Sequence, residues 1–249
     1  MTKNNDHTAS IPQRLDVIVV KRGLAPSRSR AEEYIKSGHV SVNGRVVKKA
    51  GYIADNTDKI ILKDPNPYVS RAALKLKSAV QKIKVNFKDK TVLDVGSSTG
   101  GFSEFALKSG AKKVIAVDVG TDQMHPLIKS DARIELHEKT DIRDFVPKDK
   151  IDVIVGDVSF ISLRMIIPHL LKISTRNTEL LLMCKPQFEA GRDQVNKGVI
   201  KNEAIRRKIL ADFETWLKTI AIVLNKADSD TPGEKGNIER FFLIKKIVK

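Results

Sequence analysis

Residues 91–118 constrain this chain more than any other stretch. Val92, Leu93 and Val95 form a short apolar run rich in β-branched residues, the pattern of a buried parallel strand. The run stops at Gly96, and a helical pattern carrying Phe102, Phe105 and Ala106 begins soon after. Strand, glycine-rich turn and helix together make the first unit of a Rossmann-like sheet, where backbone N–H groups at the helix start face a ligand. A second strand, 114–117, ends in Asp118, which is placed to accept the two hydroxyls of a ribose.

The spacing is wrong for a dinucleotide. A pyrophosphate binder needs G-x-G-x-x-G, and Ser98 stands where the second glycine belongs. Asp94 lies in the loop's approach, where a carboxylate repels phosphate and suits a cationic or amine-bearing ligand. S-adenosylmethionine, a nucleoside with a positive sulfonium and an amino acid tail, meets both conditions. The plainer reading, a glycine turn that only closes a βα unit, is weakened by the placement of Asp118.

The chain's 249 residues suffice for one large domain, or for one medium and one small. Its net charge of +15 points to a polyanionic partner, either nucleic acid or an anionic membrane surface. The single cysteine, Cys184, rules out an internal disulfide and fits a reducing compartment. No signal peptide is evident, and no apolar run approaches the ~18 residues a bilayer demands, so a cytoplasmic location without a membrane partner is expected. Residues 1–12 read as a disordered tail. No metal is expected, and the oligomeric state is left open.

Residues 13–63 have their own organisation. Leu15, Ile18 and Val19 make a helical stripe stopped by Gly23; Ser27 caps a second helix that ends at Gly38. Val40–Val42 alternates as a strand, Asn43-Gly44 is a hairpin turn, Val46-Val47 forms the return, and residues 60–62 add a strand. Between Lys21 and Lys49 lie eight basic residues (Lys21, Arg22, Arg28, Arg30, Lys36, Arg45, Lys48, Lys49) against two acidic ones. Such a run is usually a solvated face, but a compact helix-and-hairpin unit also suits phosphate contacts on structured RNA. The pattern Arg14-Leu15-Asp16, Gly23-Leu24, Ser27-Arg28-Ser29-Arg30-Ala31, Gly38-His39-Val40 and Val42-Asn43-Gly44 resembles the αL RNA-binding module named after a small-subunit ribosomal protein. The resemblance adds Arg14 to the expected RNA contacts.

Prolines mark residues 64–69 as a linker. A helix follows from residue 70 to about 83. Strands at 91–95, 114–117, 134–136, 153–155 and 180–183 then alternate with helices, the clearest at 163–171. A long helix over 203–219 precedes a strand near 220–224 and a last strand at 241–248. This order predicts an α/β fold: a Rossmann-like seven-stranded methyltransferase sheet over 70–249, preceded by a small α+β RNA-binding domain. Four ionisable residues belong at the carboxyl ends of its strands: Asp157 after the fourth, Lys185 after the fifth, Lys75 on the early helix, and Glu239 before the last strand. Taken singly, each is also an ordinary solvated charge, although Lys185 directly follows a wholly apolar strand.

The stretch 94–103 resembles the loop of the FtsJ-type ribose 2′-O-methyltransferases, which carry a Lys-Asp-Lys-Glu tetrad. Tyr68-Val69-Ser70-Arg71, residues 156–162, Lys185-Pro186-Gln187-Phe188-Glu189 and residues 235–239 narrow the resemblance to the TlyA family. Its members join an αL module to such a domain and methylate cytidine ribose in ribosomal RNA; many are labelled haemolysins. The resemblance implies a tetrad of Lys75, Asp157, Lys185 and Glu239. It also implies contacts to S-adenosylmethionine at Asp94, Gly96, Gly100, Asp118 and Asp141, and ribosomal RNA or a ribosomal subunit as partner. Lys185 would be the base or oxyanion stabiliser, with Lys75 in support. The sequence departs from the family at Ala72-Ala73, where many relatives carry two glycines, and 196–200 is poor in glycine.

Three rival functions remain: base methylation, at an amino group or at carbon 5, pore formation, and RNA binding alone. Amino-group methylation wants Asp/Asn-Pro-Pro-aromatic after the fourth strand, and Asp157-Val158-Ser159-Phe160 lacks both prolines. Carbon-5 methylation needs a cysteine nucleophile, for which only Cys184 is available. A pore-forming haemolysin needs a spanning or strongly amphipathic segment, and a pure RNA-binding protein would leave four filled tetrad positions unexplained.

Overall fold

The computed structural model describes residues 12–63, 68–191, 198–200, 202–233 and 236–247. The expected tail (except Pro12), residues 64–67 of the expected linker, Asn196, Lys197 and Lys235 lie outside the described residues. The chain divides into two units, Met1–Pro67 and Tyr68–Lys249.

In the first unit, β1 (Gln13–Arg14), α1 (Leu15–Lys21), α2 (Arg28–Lys36), β2 (Val40–Val42), β3 (Arg45–Val46), β4 (Ile53–Ala54) and β5 (Ile60–Leu62) enclose Leu15, Ile18, Val19, Ala31, Ile35 and Val40. The Ser27 hydroxyl accepts the Arg30 N–H at 3.3 Å, the expected cap of α2. Asn43 and Gly44 both have positive φ, 50° and 82°, as a two-residue hairpin turn requires. The return strand is Arg45–Val46, one residue earlier than expected, and β5 pairs with the other edge of β2. Nothing in the sequence announces the β1–β4 pair, because two-residue strands carry no period to read.

Asp16 is fully buried beneath this unit's basic surface. It accepts Arg14 Nε and Nη2 at 3.0 and 2.9 Å and Arg28 Nε at 2.9 Å. The Arg14 hydrogen bonds, opposed by burial and aided by Arg28, hold its pKa down at about 2.

In the second unit, α3 (Ala72–Ile83) leads into β6 (Thr91–Val95), α4 (Gly101–Lys108), β7 (Lys113–Val117), α5 (Pro126–Lys129), β8 (Ile134–His137) and β9 (Val153–Gly156). After these come α6 (Ile167–Ile173), β10 (Glu179–Cys184), α7 (Pro186–Glu189), α8 (Glu203–Ile220), β11 (Ala221–Asp228) and β12 (Arg240–Lys246). The helix expected over 163–171 is split. A 3₁₀ turn, Leu163–Met165, precedes α6 because Pro168 has no N–H to donate and is tolerated only in an α-helix's first turn. The seven strands form one sheet in the order β11-β12-β10-β9-β6-β7-β8, with β12 antiparallel to both of its neighbours.

Alternation along the strands builds two cores. Leu93, Val95, Leu180, Leu182, Phe242 and Ile244 pack with Leu170 of α6 and with Phe213 and Leu217 of α8. Val92, Val153, Val155, Leu181, Met183 and Phe241 pack on the opposite face with Leu76 of α3 and with Phe102 and Phe105 of α4. The central strands β6, β9 and β10 are covered on both faces, which is why they read as unbroken apolar runs.

Candidate active site

The connections from β6 lead outward through β7 to β8, while β9 and β10 lie on its other side. Chain direction therefore splits between β6 and β9, and the crevice beyond their carboxyl ends is where open α/β sheets bind ligands. Two clefts occupy it. The larger, about 530 Å³, has walls that include Val95, Val117, Ile142, Val158 and Ile161, with Asp118 and Asp141 among its polar residues. The smaller, about 260 Å³, is bordered by Ser70, Arg71, Lys75, Ser97, Thr99 and Lys185. Gly96, Ser98, Asp157 and Ser159 line both clefts.

Gly96 is required here. Its φ is +76°, and a Cβ would lie 2.9 Å from the Asp157 carbonyl oxygen. Asp118 closes the loop from the far side, accepting the Ser98 N–H at 2.8 Å and the Gly120 N–H at 2.7 Å. Asp141 is gripped by Arg143, with Nη2 at 2.5 Å, and that guanidinium holds its pKa at about 2.

The four expected tetrad residues converge as two ion pairs. Lys185 Nζ lies 2.6 Å from Asp157 and donates to the Ser159 hydroxyl at 2.7 Å. Lys75 Nζ lies 3.0 and 2.8 Å from the two Glu239 oxygens, with side chains only 12% and 3% exposed. Burial raises the Glu239 pKa, Lys75 pulls it back, and the Asp157 charge adds to the rise. Lys75, Lys185 and Asp157 thus border the smaller cleft, and Glu239 backs Lys75 from behind it.

Two expected cofactor contacts fall elsewhere. Asp94 lines neither cleft: it shares a strand face with Val92, two residues earlier, and so points beneath α4, where the Ser103 hydroxyl donates to it at 2.6 Å. Gly100 precedes α4 and turns toward Ile128, which a Cβ would approach to 3.2 Å. Sequence reasoning missed the hydroxyls of Ser70 and Ser97, both buried and unpartnered among the described residues. Phe160 stood out in the sequence only as part of a motif. Its ring is 92% exposed on a left-handed backbone, φ 64°, and lies 5.4 Å from Phe188. No periodic signal marks such a residue.

A seven-stranded sheet with its last strand reversed, and with paired lysines and carboxylates at the switch point, defines a methyltransferase of the Rossmann-like class. Residues 68–246 match the FtsJ-like methyltransferase model, and residues 13–60 match the S4 domain. The chain belongs to the FtsJ-like methyltransferase family, in the TlyA branch that carries an S4 domain ahead of the catalytic fold. It is 36% identical to the 23S rRNA (cytidine-2′-O)-methyltransferase TlyA of Campylobacter jejuni, over 92% of this chain and 98% of that one. It is 35% identical to the 16S/23S rRNA (cytidine-2′-O)-methyltransferase TlyA of Mycobacterium tuberculosis, over 93% and 89%. A solved structure from Streptococcus thermophilus, named as a hemolysin, superposes with a TM-score of 0.74 at 34% identity, covering 96% of this chain and 90% of that one.

Burial pushes the Asp94 pKa up to about 7, and the Asp157 and Asp118 charges add to the effect, against the Ser103 hydrogen bond. A carboxyl whose folded pKa exceeds its unfolded value of 3.8 gives stability that is complete below pH ~4 and lost as pH rises through 7. At ~1.4 kcal/mol per pH unit the loss is on the order of 4 kcal/mol. Asp94→Asn cannot ionise, so its melting temperature relative to the parent should climb by roughly 5–10 °C between pH 5 and pH 8.5. A difference independent of pH in thermal denaturation would show that the site accommodates the charge.

Proposed function

We propose that this protein transfers a methyl group from S-adenosylmethionine to the 2′-oxygen of cytidine ribose in ribosomal RNA. The observation that carries the proposal is the convergence of the Lys185–Asp157 and Lys75–Glu239 pairs at the smaller cleft, which shares Gly96, Ser98, Asp157 and Ser159 with the larger one. Relatives named for that reaction align over nearly the whole chain.

The residues present fit the cofactor. Apolar walls suit an adenine, the oriented Asp118 carboxylate suits ribose hydroxyls, and Gly96 leaves room for a close approach. The unpartnered hydroxyls of Ser70 and Ser97 suit the polar tail. Asp141 contributes to the cleft wall with its charge already balanced by Arg143. When bound, S-adenosylmethionine supplies a methyl group already activated by a positive sulfur. The protein's task is then to align the ribose hydroxyl within ~3 Å of that group and to manage its proton. Lys185, fixed by Asp157 and Ser159, faces that proton or the developing oxyanion. Lys75, fixed by Glu239, adds a second positive charge beside it. The exposed Phe160 ring offers a stacking face for the splayed base.

The rivals lack support in the site. Cys184 is fully buried, and burial raises its thiol pKa, away from the thiolate that carbon-5 chemistry needs. Among the described residues, no helix is long and apolar enough to cross a membrane. A cytoplasmic location accords with the ribosomal substrate.

The S4 domain, residues 13–63, is proposed to supply RNA affinity, with 64–69 as linker and 70–249 carrying the chemistry. Its expected contacts divide into two sets. Arg14 and Arg28 serve Asp16, Arg22 donates to the Asp58 and Asn56 carbonyls, and Arg30 and Lys36 pair with Glu33 and Glu32. Arg45, Lys48 and the neighbouring Lys49 are exposed and have no ion pair among the described residues, so they are the cations most available to phosphate.

Asp118→Ala removes the acceptor proposed for the ribose, whose charge-assisted hydrogen bonds are worth about 1.5–3 kcal/mol each. Calorimetry should show S-adenosylmethionine affinity falling at least ~10-fold, and an unchanged affinity would disprove the contact. Replacing Arg45, Lys48 and Lys49 together with alanine should weaken RNA binding and flatten its log–log salt slope by up to about 3, one for each phosphate no longer neutralised. An unaltered slope would move the RNA footprint elsewhere. Lys185→Ala should lower turnover by roughly 10²-fold or more while leaving cofactor and RNA affinity in place. Lys185→Arg separates the two roles, since a guanidinium stabilises an oxyanion but takes no proton. Mapping the product by nuclease digestion and mass spectrometry should find the methyl on ribose; a methylated base would refute the reading.

A further inference from the structure

We propose that Glu189 is a positioning residue for this reaction, a buried carboxylate staple that sets the geometry of Lys185 through the segment 157–163. The inference rests on the reading of Lys185 and Asp157 as reacting-site residues.

Two segments face each other across the carboxyl edge of the sheet: 157–163 after β9, and 185–189 after β10. Three successive rungs join them. The first is Lys185 with Asp157 at 2.6 Å and with the Ser159 hydroxyl at 2.7 Å. The second is the Phe160–Phe188 ring contact at 5.4 Å. The third is Glu189, which accepts the Ser162 hydroxyl at 2.6 Å on one oxygen and the Leu163 N–H at 2.7 Å on the other.

The third rung stands out because its carboxylate is costly to bury. The Glu189 side chain is 1% exposed, and burial raises its pKa against the pull of Ser162, Leu163 and the Arg164 guanidinium 3.8 Å away. Arg164 lies 5.5 Å from the centre of the Phe213 ring and 4.8 Å from that of Trp216, so the staple is also braced on α8. Between the first and third rungs the backbone bends through Phe160 at φ 64°, a conformation that persists only where its surroundings over-determine it. Glu189 supplies that determination from the carboxyl side. Without it, the bend is free to relax, and Ser159 no longer fixes the Lys185 ammonium where the hydroxyl proton must go. Glu189 bonds Ser162 and Leu163 and faces Arg164 rather than either ion pair of the clefts, so it acts on the chemistry through the segment 157–163.

The test uses the full-length protein with ribosomal RNA and S-adenosylmethionine. Glu189→Ala should lower kcat roughly 10-fold or more, since small misplacements of reacting groups cost this much, while calorimetric S-adenosylmethionine affinity stays within about 3-fold. Glu189→Gln keeps one acceptor and gains a donor that the Ser162 oxygen can accept, so it should restore most of the rate. Because Glu189 acts through Ser159, adding Ser159→Ala to Glu189→Ala should cost no more than about 2-fold beyond the worse single variant. Should Glu189→Ala fail to fold, Ser162→Ala, which removes one donor to the staple, takes its place with the same expectations. Full activity in Glu189→Ala overturns the proposal, as do losses that multiply in the double variant or a Gln variant as slow as the Ala variant. A fully active Lys185→Ala would instead overturn the reading of the site itself, which separates the two failures.

Discussion

The antiparallel register of β12 against β10 is the constraint on which the site depends. Cys184, the last residue of β10, pairs with Arg240, the first of β12. Lys185, one step beyond the first strand, and Glu239, one step before the second, therefore share the sheet's carboxyl edge. In a parallel arrangement a residue that precedes a strand would emerge at the opposite edge. Reversing the last strand thus brings a carboxylate to a mouth that β6, β9 and β10 reach with their ends. The loop ahead of β12 is anchored accordingly: Arg206 donates to the Ile238 carbonyl at 3.0 Å, Arg240 donates to Asp228 at 2.6 Å, and the Asn237 side chain bonds Gly198 and Ile200.

The carboxylates around the crevice meet the cost of burial in different ways. Glu239 is paired with a lysine, Asp141 with a guanidinium, and Glu189 with a hydroxyl and a backbone N–H. Asp94 is fully buried with hydrogen bonds from Ser103 alone, no cation partner among the described residues and two like charges nearby, and its pKa rises to about 7. A buried charge must be compensated or neutralised. The same rule operates in the S4 domain, where two arginines on a basic surface are drawn to Asp16. A basic residue in a sequence is consequently not yet a free cation.

Much of this was legible before any coordinates. The apolar runs at 92–95, 153–155 and 180–183 are strands because sheets covered on both faces demand such runs. Asn43-Gly44 is a turn because both residues tolerate positive φ. Local chemistry of that kind needs no partner from elsewhere in the chain. Even the tetrad positions could be placed at strand ends by counting, with the family resemblance choosing among them.

What tertiary structure alone decided was which groups meet. Lys75 and Glu239 are separated by 164 positions, and only the strand order and the reversal of β12 set them 3.0 Å apart. Asp94 looked like a loop residue facing the ligand; the alternation of β6 turned it under α4. Pro168 split a helix whose apolar stripe ran straight through it. The sequence by itself determined the elements, since propensity and periodicity act over a few residues. Contacts, burial and ionisation depend on the three-dimensional neighbourhood, and that exists only once the sheet has assembled.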